Sequence, residues 1–139
     1  MKPITALLIM PGERRGAVLE QIEACGVHVF PTAGLEDARR ILRTRSVDLI
    51  FTDATFPNGS WRDVIAHRTL EGLPCEVILC APRLDSKLCA EAFARGVWDL
   101  VAESGSRDEL RRTIDSAVSH MYMHALGSGR GPAIARAAS

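Results

Sequence analysis

Five short stretches of this chain are apolar almost without a break, at residues 4 to 10, 27 to 30, 47 to 52, 76 to 80 and 98 to 101. A strand with one face in water alternates apolar and polar positions. These runs do not, so they predict strands covered on both faces, as in a parallel sheet. Between them the spacing changes to that of helices. Val18, Ile22 and Cys25 follow one another at four and three, and Leu35, Ala38 and Leu42 at three and four, each set marking a face that packs on the sheet. Ser60 before "WRDVI", Ser86 before "KLCAEAFA", and Ser106 with Glu109 can accept the free N–H groups at helix starts. Gly26 and Gly96 suit the left-handed turn that closes a helix. The last helix turns Leu110, Ile114 and Ala117 or Val118 to the sheet and runs to about Leu126.

Five strands alternating with five helices through short, right-handed connections give an α/β fold with a doubly wound five-stranded parallel sheet. The domain is expected over residues 1–126. The segment 127–139, "GSGRGPAIARAAS", has the small-residue composition of a flexible tail or linker. In doubly wound sheets the working crevice lies beyond the carboxyl ends of the strands. The positions to examine therefore follow Met10, Thr52, Leu79 and Val101. At the second of these an apolar run ends in Asp53, and the chain then breaks at Pro57, Asn58 and Gly59.

The totals narrow the choice of partner. The chain has 17 basic and 17 acidic residues without a long block of either, which predicts neither a nucleic-acid groove nor a membrane-binding face. No apolar run is long enough to span a bilayer, and no signal-peptide pattern is seen, so the chain reads as cytoplasmic. The four cysteines, at 25, 75, 80 and 89, lack zinc-site spacing and read as buried free thiols. His120 and His124 could grip a metal from one helix face. With no carboxylate or thiol nearby in sequence, a solvated helix end is the expectation.

Three stretches now carry a resemblance. "DLIFTDATFPNGS" is similar to the phosphoacceptor strand and loop of the receiver domains of bacterial two-component response regulators, "EVILCAP" to their fourth strand, and "AEAFARGVWDLVAES" to their fourth helix, glycine turn and fifth strand. The resemblance covers about residues 4 to 122. It implies the flavodoxin-like receiver architecture, with a phosphoryl group taken onto the central Asp, here Asp53, beside a bound magnesium ion. In such a site an acidic pair after the first strand shares the metal with the Asp. A Ser or Thr after the fourth strand bonds the phosphoryl group, and a Lys after the fifth pairs with it. Hard cations and a lysine offset the charge on the oxygens being transferred.

Every matched helper differs here. The acidic pair falls on Pro11 and Gly12, with Glu13 one place beyond; the hydroxyl position is Cys80; the lysine position is Glu103. Proline and glycine side chains offer no oxygen, a thiol is a weak donor, and a carboxylate repels a phosphoaspartate. Arg14, Arg15 or Arg83 could supply the missing positive charge. Without one, convergence of Asp53 and Glu103 would raise the pKa of one of them. The aromatic relay residue of the fifth strand is Leu100, so that relay is expected to be absent. Trp98 is expected to anchor the fourth helix against the fifth strand, with a partner contact as the other reading. Trp61 is expected to be a partly exposed staple over the loop.

The reading is an atypical, degenerate receiver: a non-enzymatic module that acts by phosphorylation-independent association with a protein, whether a histidine kinase or an output protein. Its fourth-helix to fifth-helix face, with Trp98 and Leu100, would be the contact, and self-association into a homodimer is allowed. It needs no cofactor, magnesium entering only if phosphorylation of Asp53 is retained. One alternative is a working phosphoacceptor modified on Asp53 by a histidine kinase. A second is a flavodoxin-like binder of small molecules, although "MPGERRG" lacks a phosphate-cradling glycine pattern. No nucleophile elbow is present, and His28 and His67 fall away from the crevice; Cys80 as a redox sensor is a minor reading.

Overall fold

The computed structural model describes residues 3–127. Its elements run β1 (Thr5–Ile9), α1 (Arg14–Glu23), β2 (His28–Thr32), α2 (Leu35–Thr44), β3 (Leu49–Asp53), β4 (Thr55–Phe56), β5 (Gly59–Ser60), α3 (Trp61–Glu71), β6 (Glu76–Ala81), α4 (Ser86–Ala94), β7 (Asp99–Ala102) and α5 (Arg107–Gly127). The tail expected over 127–139 lies outside the described residues except for Gly127, which ends α5.

Five strands form one parallel sheet in the order β2-β1-β3-β6-β7, and β4 with β5 makes a small antiparallel hairpin that the apolar pattern did not signal. The chain winds outward from β1 to β2 and then returns to the other side of β1 with β3. The strand order therefore reverses between β1 and β3, and the crevice of a doubly wound sheet opens at their carboxyl ends. Asp53 is the last residue of β3 and sits there.

The unbroken apolar runs follow from the two covered faces. Leu7, Ile9, Ile50, Val77 and Leu79 point to one layer, with Ala38 of α2, Val64 of α3 and Ala92 of α4. Their neighbours Ala6, Leu8, Leu49, Phe51 and Ile78 point to the other, with Val18 and Ile22 of α1 and Leu110, Ile114 and Ala117 of α5. Residues adjacent in a strand face opposite ways, so each run supplies both cores at once.

The two layers also correct the reading of Trp98. Trp98 lies just before β7, outside the strict alternation, and packs in the layer of α5, whereas Val97 and Leu100 join that of α4. Its ring stacks on His120 of α5 with centroids 4.4 Å apart and an interplanar angle of 26°. Trp98 thus holds α5, not α4, to the sheet. His120 is no bare helix end either: Nδ1 lies 2.7 Å from Glu76 Oε2, a carboxylate 44 residues away in sequence. The side chain of His124 is outside the described residues.

Trp61 is likewise different from expectation, being only 1% exposed. Ser60 and Asp63 form a reciprocal capping box that fixes the start of α3, and Trp61 N–H donates to the Ala54 carbonyl at 3.1 Å. The indole is thereby carried into the core beside Phe56 and Val64. The cap of α4 is Asp85 rather than Ser86, its carboxylate accepting from Leu88 N–H at 2.7 Å. At the end of α4, Gly96 has the expected positive φ, 101°.

Candidate functional site

Asp53 is buried, its side chain 5% exposed, yet it carries a full set of partners. The backbone N–H of Ala54 donates to Oδ1 at 2.7 Å. The loop beyond turns tightly through Asn58, at φ 66°, and brings Gly59 against the Phe56 ring. The hairpin β4–β5 thus closes one wall of the crevice.

Arg14 fills its centre. The side chain reaches from the first residue of α1, and Nη1 and Nη2 donate to Asp53 Oδ2 and Oδ1 at 3.1 and 3.2 Å. Its other edge serves Glu103: Nε donates to Oε1 at 2.9 Å, and Nη2 bonds Oε2. One planar guanidinium thereby makes two forks, a geometry that lysine cannot reproduce. Of the three arginines considered from sequence, this is the one whose side chain hydrogen-bonds Asp53. Its pKa is raised, most by the Glu103 hydrogen bond and further by Asp53, against an opposing effect of burial.

Glu103 is held where the fifth strand of the sheet ends. Its N–H continues the ladder to the Ala81 carbonyl at 3.0 Å, and Gly105 N–H turns back to Ala102 at 2.9 Å. Cys80 lies opposite Asp53 in register and is 1% exposed. Burial pushes its thiol pKa up, and the charges of Glu103 and Asp53 push it further, which disfavours the thiolate that redox sensing needs. A cavity between α1 and α5 reaches Cys80 and holds about 20 Å³, room for about one water molecule.

The other positions expected from sequence are placed as follows. Pro11 is half-buried; Gly12, at φ 78°, and Glu13 are exposed at the turn into α1, and the Glu13 side chain bonds no described residue. Leu100 is buried, 7% exposed, at the floor of an open groove of about 430 Å³ between the β6–α4 connection and α5. Leu84, Arg112 and Thr113 line the same groove. Trp98 lies away from it, on the layer of α5.

A divalent cation of the kind implied by the resemblance does not fit these residues. Two neighbouring carboxylates would have to come from Pro11 and Gly12, and Asp53 and Glu103 are both engaged by Arg14. Among the described residues no group of three or more His, Cys, Asp or Glu side chains could hold a metal ion. No buried side-chain nitrogen or oxygen among them lacks a hydrogen-bond partner.

No known protein family and no curated protein matches the sequence. Solved structures do match. The chain is similar to the signal receiver domain of an HD domain-containing protein from Pseudomonas fluorescens Pf-5, with 20% identity, a TM-score of 0.74, and coverage of 88% of this chain and 99% of that one. It is also similar to a response regulator from Thermotoga maritima, at 21% identity and a TM-score of 0.73 over 85% and 99% of the two chains. A third is a response regulator receiver domain protein from Clostridium thermocellum, at 18% and 0.72 over 86% and 98%. The class defined first by topology is a doubly wound flavodoxin-like sheet. The particular member of that class is the receiver fold, which this chain has nearly end to end.

Proposed function

We propose that this chain is a signalling module of the two-component type that works by binding protein partners, with no phosphoryl group taken onto Asp53. One observation carries the reading: the carboxylate that would accept the group is forked by Arg14, which is forked in turn by Glu103. A phosphoryl group entering there would break the Arg14–Asp53 fork and meet the Glu103 carboxylate, with no hydroxyl at Cys80 to bond it. Like charges brought together in a partly buried crevice repel. The module performs no catalysis and needs no cofactor. Its place is the cytoplasm, and among the described residues no helix is long and apolar enough to cross a membrane.

The contact face in this proposal is the groove over β7, where Leu84 is 41% exposed beside Arg112 and Glu109. Leu100 contributes as its floor rather than as a projecting anchor, and Trp98 acts behind it by holding α5. The partner is a kinase, an output protein or a second copy.

Intact mass after incubation with acetyl phosphate and magnesium tests the proposal, with Asp53→Asn as control and an ordinary receiver labelled in parallel. No gain in mass is expected. Gain of one phosphoryl group by the wild type alone would overturn it and restore the phosphoacceptor reading.

A further inference from the structure

We infer that Arg14 is a tethered counter-cation: it stands in the crevice where a soluble divalent ion would otherwise be drawn, and excludes that ion. This deepens the proposed function and rests on it in one respect, that the crevice carries out no phosphoryl transfer. The argument begins with the nitrogen Nη2, which bonds Asp53 Oδ1 at 3.2 Å and also Glu103 Oε2. Two carboxylate oxygens that share one nitrogen are close enough to share one hard cation, whose oxygen ligands lie about 2.0–2.6 Å away. Remove the guanidinium, and one buried and one mostly buried carboxylate face each other with no positive charge between them.

The position of Arg14 in α1 supports the same reading. A helix start favours acidic side chains, because the N-terminal N–H groups carry partial positive charge. Here the first turn of α1 has no acid and begins with Arg14 and Arg15. Local helix energetics therefore oppose an arginine at this position, and the tertiary forks to Asp53 and Glu103 oppose that cost. Glu103 completes the exchange. With a lysine there, Arg14 would meet a like charge; with Glu103 the site has two acids for one guanidinium, and it spans three segments, the start of α1, the end of β3 and the β7–α5 connection.

The test compares the thermal midpoints of wild type, Arg14→Ala, Glu103→Gln and Arg14→Ala/Glu103→Gln, each with and without millimolar Mg²⁺ or Mn²⁺ at fixed ionic strength. Wild type is expected to show no cation-dependent shift. Arg14→Ala is expected to lose stability and to recover a measurable part of it with either cation. The double variant is expected to be more stable than Arg14→Ala, since one of the two facing charges has gone, and to have lost the cation response. Equal cation shifts in wild type and Arg14→Ala, or strictly additive losses in the double variant, would overturn the inference.

Should Arg14→Ala fail to fold, Arg14→Ala/Asp53→Asn/Glu103→Gln decides. Folding of that triple variant supports a charge role, and its failure shows that Arg14 serves packing instead. The two failures remain distinguishable. Acetyl phosphate labelling of wild type sinks both, since it needs the crevice to admit a phosphoryl group with its magnesium, whereas an unlabelled wild type whose variants show no cation response sinks only the tethered cation.

Discussion

Replacing Asp53 by Asn removes one negative charge and almost no volume, and the sign of the resulting stability change depends on what surrounds the carboxylate. In a crevice where acids crowd together without a counter-charge, neutralising one relieves repulsion and stabilises the fold. Here the carboxylate is 5% exposed and accepts from Arg14 twice and from Ala54 once. An Asn oxygen can keep the Ala54 and Nη2 bonds made to Oδ1, but its NH₂ would then face the Nη1 donor of Arg14. Hydrogen bonds to charged groups contribute about 1.5–3 kcal/mol. The Arg14 side chain is 41% exposed, so solvent screening lowers the share lost, and relief of the Asp53–Glu103 repulsion offsets some more. A net loss of about 2 kcal/mol is expected. For a domain of this size that lowers the midpoint by roughly 5–10 °C. Urea and thermal unfolding followed by circular dichroism measure both quantities. A variant as stable as wild type, or more stable, would refute the view that Arg14 neutralises the site.

His67 on α3 is half-buried, and its pKa lies below the ordinary 6.5, chiefly through burial and also through the positive charges of Arg39 and Arg43, against an opposing Glu71. The unfolded chain then binds the proton more readily than the folded one, so the stability linked to His67 is present above pH 6.5 and is lost as pH falls through the lowered folded value. His67→Gln should flatten the fall in urea midpoint below pH 6.5, and an unchanged slope would count against the assignment. Gly59→Ala places a methyl 2.7 Å from Phe56 Cε1 and 3.2 Å from Asp63 Oδ2. It should cost about 1–3 kcal/mol through displacement of the ring, whereas a neutral change in urea unfolding would show the hairpin to be loosely packed.

The strands were legible because burial on both faces writes itself into composition: the runs at 47 to 52 and 76 to 80 became β3 and β6 to within a few residues. The short hairpin after Asp53 was not, since two-residue strands have no period to detect. Ser60 and Ser106 announced helix starts because a hydroxyl at a cap is a local device. Side-chain destinations were harder. The burial of Trp61 depends on where α3 enters the core, and the layer chosen by Trp98 depends on how the chain turns into β7, neither of which residue type reveals. The pairing of Glu76 with His120 joins positions 44 apart and has no local sign. The missing helpers around Asp53 were visible by alignment with a family pattern. Arg14 could be named only as one of three candidates, yet a basic pair in the first turn of a helix, against the dipole, was a usable clue that its partner lay elsewhere.

The double fork of Arg14 also has a consequence for how information could pass through such a module. A covalent mark can be written and erased on one molecule, so an ordinary switch reports events by changing state while its copy number stays fixed. A crevice whose positive charge is encoded in the chain has one setting from the moment it folds. On the proposed function, the quantity that can vary is the number of copies, and the response would then follow the rates of synthesis and degradation. Such a part behaves as a dose, not a toggle.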